Sequence, residues 1–141
     1  MKSPSVVDQA TIQAYRETHF CVQGETPMTL LVDQRNETLA ALHEASGVES
    51  SAFVTAWNPF SQQCDDETNA NRQQALADEL KVLGLRFVQG VGRHPSSTWA
   101  EPSFLVLGIS LEAAKQLGGR YEQNAVIWCG ADAVPQLVLL R

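Results

Sequence analysis

The chain is short of positive charge, of cysteine and of long apolar runs, and each shortage removes a class of function. Ten Lys and Arg stand against 16 Asp and Glu, a formal net charge of −6. Binding along a phosphate backbone rests on clustered cations, and Arg72, Lys81, Arg86, Arg93, Lys115 and Arg120 form no run. Nucleic acid is therefore placed last among partners. Cys21, Cys64 and Cys129 are odd in number, far apart and without Cys-x-x-Cys spacing. That pattern points away from a disulfide framework or a thiolate zinc site. The three read as small fillers, and the reducing cytoplasm is the expected compartment. No stretch approaches the roughly twenty apolar residues of a membrane span. Residues 1–10 carry one Lys and no apolar centre, so they do not read as a secretory leader. No membrane, metal or cofactor is expected.

Catalytic signatures are also missing. Ser-x-x-Lys, Gly-x-Ser-x-Gly, His-Glu-x-x-His and Gly-x-Gly-x-x-Gly do not occur. No motif assigns a reaction.

What remains is the content of one globular domain. A chain of 141 residues, 44% of them hydrophobic, can bury roughly two-thirds of its unfolded surface. A short helix is expected over 8–15. Strands over 19–23 and 28–32, joined by Gly24-Glu25-Thr26-Pro27, read as a hairpin. Leu39, Leu42 and Ala45 mark a helix over 36–45 that Gly47 stops. Residues 52–57 form a near-continuous apolar run, the pattern of a strand buried on both faces at the centre of a sheet.

A polar linker, 58–65, leads into the longest helix. Asp65 or Asp66 caps it, Leu76, Leu80 and Leu83 form its stripe, and Gly84 lies just beyond. Residues 85–88 follow as a strand. This strand–helix–strand order is that of a right-handed crossover between parallel strands. Residues 90–102 read as a long loop and 103–109 as another strand. A helix over 111–117 starts at Ser110 and ends at Gly118-Gly119, and strands over 124–129 and 136–140 close the chain. The expected fold class is α/β: a single compact domain, 1–141, with a mixed β-sheet, a βαβ crossover and helices packed on the sheet.

Candidate binding residues sit where such a sheet places its ligands, beyond the carboxyl ends of strands. Asn58 closes one strand, and its amide both donates and accepts; the alternative is an Asn-Pro turn bonding its own backbone. Ser61 has the same two readings. Asn71 and Arg72, with Asn69, lie in the first turns of the long helix, where free N–H groups and the dipole attract anions. Arg72 adds a fork suited to carboxylate or phosphate, or pairs on the surface with Asp65 or Glu79. Glu101, beside Trp99 and ahead of a buried strand, is the candidate acid or base, since an apolar neighbour raises a carboxyl pKa. A salt bridge to Arg72 or Arg120 is its structural alternative. Trp99 offers a stacking face or a lid over the core, and Gln123 a ligand hydrogen bond or a loop tie. The run Gly90-Val91-Gly92-Arg93-His94-Pro95 is either a glycine-rich phosphate cradle or a flexible connection. It lacks the Gly-x-Gly-x-x-Gly spacing and a following helix, so the connection is the preferred reading. His94 is either a general base or a solvated loop histidine.

The stretch Phe53-Val54-Thr55-Ala56-Trp57-Asn58-Pro59, then Asn71-Arg72, then Trp99 with Glu101-Pro102-Ser103, and last Tyr121-Glu122-Gln123-Asn124-Ala125-Val126-Ile127-Trp128, resemble the bacterial family catalogued as domain of unknown function 3293. The likeness covers about 52–141 with the motifs in order. It implies the fold boundaries and singles out these residues, and it brings no assigned activity. The expected function is binding of a polar or anionic small molecule, nucleotide-like among others, with or without catalysis. Asn58, Asn71, Arg72, Trp99 and Gln123 would bind it, and Glu101 would be the catalytic group. The competing class is a protein-interaction module with Trp57, Phe60 and Trp99 as apolar anchors.

Overall fold

A computed structural model describes residues 5–96 and 98–141; the first four residues of the segment read as no leader lie outside the described residues. The elements are α1 (Gln9–Glu17), β1 (His19–Val22), β2 (Met28–Leu30), α2 (Glu37–Ser46), β3 (Ser51–Val54), α3 (Asp66–Val82), β4 (Phe87–Arg93), β5 (Ala100–Leu107), α4 (Leu111–Arg120), β6 (Ala125–Cys129) and β7 (Pro135–Leu139). Each α-helix starts on a side chain that accepts a first-turn N–H: Asp8 from Thr11, Asn36 from Leu39, Asp65 from Thr68 and Ser110 from Ala113. These caps satisfy donors that a helix start otherwise leaves open. Gly47 ends α2 in the left-handed region that favours glycine, with φ 69.

The strands form one curled, seven-stranded sheet in the order β2-β1-β4-β5-β3-β6-β7. The α/β class and the single compact domain are as expected, and the sheet pairing is not. Every ladder is antiparallel. β3 and β4 do run in the same direction across α3, but β5 is inserted between them. The crossover is split, so two parallel strands never share a ladder among the described residues.

β3 is buried along its whole length, in the interior of the sheet. Its residues alternate between two cores. Phe53 joins Phe20, Leu30, Leu105 and Ile127 on the face covered by Leu39 of α2. Ala52 and Val54 join Leu76 and Leu80 of α3 and Leu117 of α4 on the other. Period-two alternation thus puts helices on both faces of one sheet.

Four local expectations fail for physical reasons. The strand read over 52–57 stops at Val54, because Thr55 turns its hydroxyl to the Pro102 carbonyl at 2.7 Å. Residues 90–102 are mostly strand: β4 runs to Arg93, β5 starts at Ala100, and the two pair from Phe87 with Val106 to Arg93 with Ala100. Gly90 is not a phosphate cradle. A Cβ there would lie 2.7 Å from the Phe53 ring and 2.9 Å from the Cys21 carbonyl, so glycine is what lets β1, β4 and Phe53 close up. Gly118 and Gly119 do not stop α4 but lie inside it; Gly118 makes room for Leu140 and Val126. Leu83 is exposed, and the buried stripe of α3 is Asn69, Gln73, Leu76, Ala77 and Leu80.

Candidate functional site

That stripe is polar in its first half, and the polar half builds the site. Gln73 Oε1 accepts the Ala56 N–H at 2.9 Å, where the chain has left the ladder after β3. Asn69 Oδ1 accepts the Asn58 N–H at 2.8 Å, while its amide donates to Asn58 Oδ1, also at 2.8 Å. The Cys64 N–H adds a second donor to Asn58 Oδ1 at 3.0 Å. The oxygen of Asn58 is thereby fully engaged, and its N–H group is turned toward Glu101. The turn is over-determined enough to hold Asn58, Phe60 and Ser61 in the left-handed region, at φ 48, 54 and 59. Such strain in non-glycine residues collects where a structure positions something.

On the α2 face, residues of α1 and residues toward the carboxyl ends of β3 and β4, Phe53 and Gly92 among them, line a cavity of about 600 Å³. Phe20, Phe53, Ile127 and Leu137 provide its apolar wall. Polar groups converge from separate segments: Asn58 and Ser61, Glu101, Gln123, and Thr11 and Tyr15 of α1. Tyr15 ties the helix down, its hydroxyl 2.6 Å from Ser61 Oγ, and Asn124 donates to that same Ser61 oxygen at 2.9 Å. At the rim, His94 stands between Glu17 (3.0 Å) and Ser96 (2.8 Å). The Ser96 backbone N–H also points at Nδ1, at 3.3 Å. A backbone N–H can only donate, which favours the proton on Nε2, facing Glu17.

Glu101 is the electrostatic centre of the cavity. Burial pushes its carboxyl up to about 8, and the opposing hydrogen bond from Asn58 recovers only part of that shift. Neither Arg72 nor Arg120 pairs with it. Arg120 pairs with Glu79. Arg72 donates through Nε to the Ala56 carbonyl at 2.9 Å and through Nη2 to the Tyr121 carbonyl at 2.5 Å, with Glu122 at 3.4 Å.

Of the residues weighed in the sequence, Asn58, Ser61, His94, Trp99, Glu101 and Gln123 line the same cavity. Arg72 lies outside its lining and serves as a strut, and Asn71 is exposed to solvent. Asp8, Thr11, Tyr15 and Thr18 line it without having been singled out. They recur at helical spacing, but as a polar and small stripe where a packing helix would carry leucines, so no apolar face marked them. Elsewhere, His43 is a satisfied core histidine, 2.8 Å from Ser51 Oγ. Burial drives the Cys129 thiol up to about 12. Among the described residues no cluster of three or more His, Cys, Asp and Glu is placed to hold a metal, and no helix is long and apolar enough to cross a membrane.

No curated protein and no solved structure matches the chain significantly. A family model described as protein of unknown function (DUF3293) matches residues 54–126. That span runs from the end of β3 into β6 and includes Asn58, Trp99, Glu101 and Gln123, whereas α1 precedes it. The match covers just over half of the sequence, and the chain belongs to the DUF3293 family.

Proposed function

We propose that the chain binds a small amphipathic molecule with an uncharged head group in the cavity between α1 and the sheet. The observation that carries this reading is convergence. Asn58, Glu101 and Gln123, from three separate segments, meet on a cavity whose other wall is apolar. A mostly apolar concavity with a few directed polar groups is the usual form of a small-molecule site.

The electrostatics weigh against an anionic ligand. The described lining includes Asp8 and Glu101 and no Lys or Arg, and Arg72 has its donors committed to carbonyls. An interaction module fits less well. Phe60 and Trp99 are exposed, but Trp99 lines the cavity and Phe60 has the Arg141 guanidinium 4.0 Å over its ring. Glu101, carrying its proton near neutrality, is the group that a reaction in this cavity would use as its acid.

The test uses the neutral dye phenylnaphthylamine, whose fluorescence rises on entering an apolar cavity, and native mass spectrometry of freshly purified protein. The wild type should bind the dye, and Ala14→Trp, which fills the cavity from α1, should abolish binding while its circular dichroism stays unchanged. Any small molecule retained from the expression host should be missing from the same variant. Dye fluorescence identical in the two proteins would sink the reading.

A further inference from the structure

We propose that the head group recognised here is a carboxamide-like edge, an N–H beside a C=O as in a lactam or primary amide. Gln123 Oε1 accepts the N–H, and the Glu101 carboxyl donates to the C=O. This deepens the binding reading above and rests on it.

The argument follows from which polar atoms are already committed. Gln123 spends both amide hydrogens on main-chain carbonyls, Trp57 at 3.2 Å and Tyr121 at 3.1 Å. Its oxygen is then what it offers to the cavity it lines. Asn58 is locked with its oxygen inward, so one oxygen of the Glu101 carboxyl accepts the Asn58 N–H. With a neutral amide as neighbour and no cation in the described lining, this desolvated carboxyl keeps its proton. Its O–H is therefore available to a ligand carbonyl. Both groups adjoin one turn, because Gln123 bonds Trp57 and Glu101 bonds Asn58. Trp99 and Phe53, also in the lining, offer flat faces for a ring that carries the amide.

The other ionisable residues of the lining are Asp8 and Tyr15, at and within α1, and His94 just after β4; β3, β6 and β7 contribute none. Asp8 is held below its ordinary range by the Thr11 N–H that it caps. Glu101, raised to about 8, is the group that should set the pH dependence.

Four probes of similar shape test the proposal by displacing phenylnaphthylamine at pH 6.5 and pH 9: carbostyril, a bicyclic lactam; its N-methyl derivative; naphthoate; and naphthylmethylammonium. Carbostyril should bind at pH 6.5 and weaken about tenfold at pH 9, as Glu101 loses the proton it donates. N-methylcarbostyril should bind about tenfold more weakly at pH 6.5, since it leaves the Gln123 oxygen unpaired. Naphthoate should bind no better than that. Glu101→Gln, a donor at every pH, should keep carbostyril affinity and lose the pH dependence, whereas Glu101→Leu should lose about tenfold. His94→Gln should leave the pH dependence intact.

Equal binding of the lactam and its N-methyl form, or tighter lactam binding at pH 9, would overturn the head-group assignment while the cavity reading stands. Preferred binding of naphthylmethylammonium would replace it with a cationic head. Failure of Ala14→Trp to exclude the dye is a separate result, and it would overturn the cavity reading itself.

Discussion

Glu101 links the cavity to the stability of the whole protein. Its carboxyl titrates at about 8 in the folded chain, against an ordinary value of 4.5. Between those values the folded state holds a proton that the unfolded state has released. Stability from this group is therefore fully present below about 4.5 and is lost as pH rises through 8. The urea midpoint should fall between pH 5 and pH 8.5, by up to about 5 kcal/mol in stability, and Glu101→Gln should flatten the curve. A wild-type midpoint that climbs over that range would contradict the buried, protonated carboxyl. Arg72 shows the reverse case, a charged residue whose work is structural. Its planar fork joins the end of β3 to the turn before β6 through two carbonyls. Arg72→Ala should cost about 2 kcal/mol in urea denaturation, since both acceptors lose a charged donor. Arg72→Lys should not restore it, because one ammonium cannot span both carbonyls. Carbostyril affinity, normalised to folded protein, should be unchanged in both variants.

At the scale of elements, sequence patterns revealed what was locally determined. All four helices were legible, α2 and α3 from their apolar stripes and α1 and α4 from shorter local signals, and the β1–β2 hairpin because Gly24-Glu25-Thr26-Pro27 separates two short apolar runs. The pattern failed where distant strands decide. Residues 90–102 carry turn-forming Gly, Pro and Ser, yet Gly90, Val91, Gly92 and Arg93 pair with β1 on one side and β5 on the other. Tertiary pairing overrides a weak strand preference. The role of α1 was hidden for a related reason. Asp8, Thr11, Ala14, Tyr15 and Thr18 face a cavity rather than a packed core, so no apolar stripe advertised the face. Gln73 was missed likewise and Asn69 was named only for its place at the helix start, both being polar members of a stripe read from its leucines. Since α1 has no buried residues, its attachment rests on contacts such as Tyr15 with Ser61 and Asn124. Tyr15→Phe should therefore speed amide exchange in residues 9–17 by about tenfold, while α3 and α4 exchange as before. A uniform acceleration across the chain would mean that α1 unfolds only with the whole domain.

At the scale of the molecule, the departure from a mixed sheet is what assembles the site. Had β3 and β4 been direct parallel neighbours, their carboxyl ends would have met loops alone. With β5 running antiparallel between them, the start of β5 lies beside those ends. Glu101, in the first turns of that strand's ladder opposite Gly92, is thereby brought to Asn58, which follows β3. This long-range insertion could not be read from the crossover, although both residues could be named from the sequence. The arrangement also sets stability against function. An apolar wall left unpacked forgoes contacts that a core would make, and α1 bridges it with small side chains at Ala10 and Ala14. Ala14→Leu should bury new apolar surface under the helix and raise stability by about 1 kcal/mol. The same leucine should weaken dye and carbostyril binding at least tenfold by occupying their space. Thermal denaturation and dye titration of this one variant measure both effects. A midpoint that rises while binding falls is the expected result. A midpoint that drops with binding intact would mean that α1 packs against the sheet too closely for a ligand to lie between them.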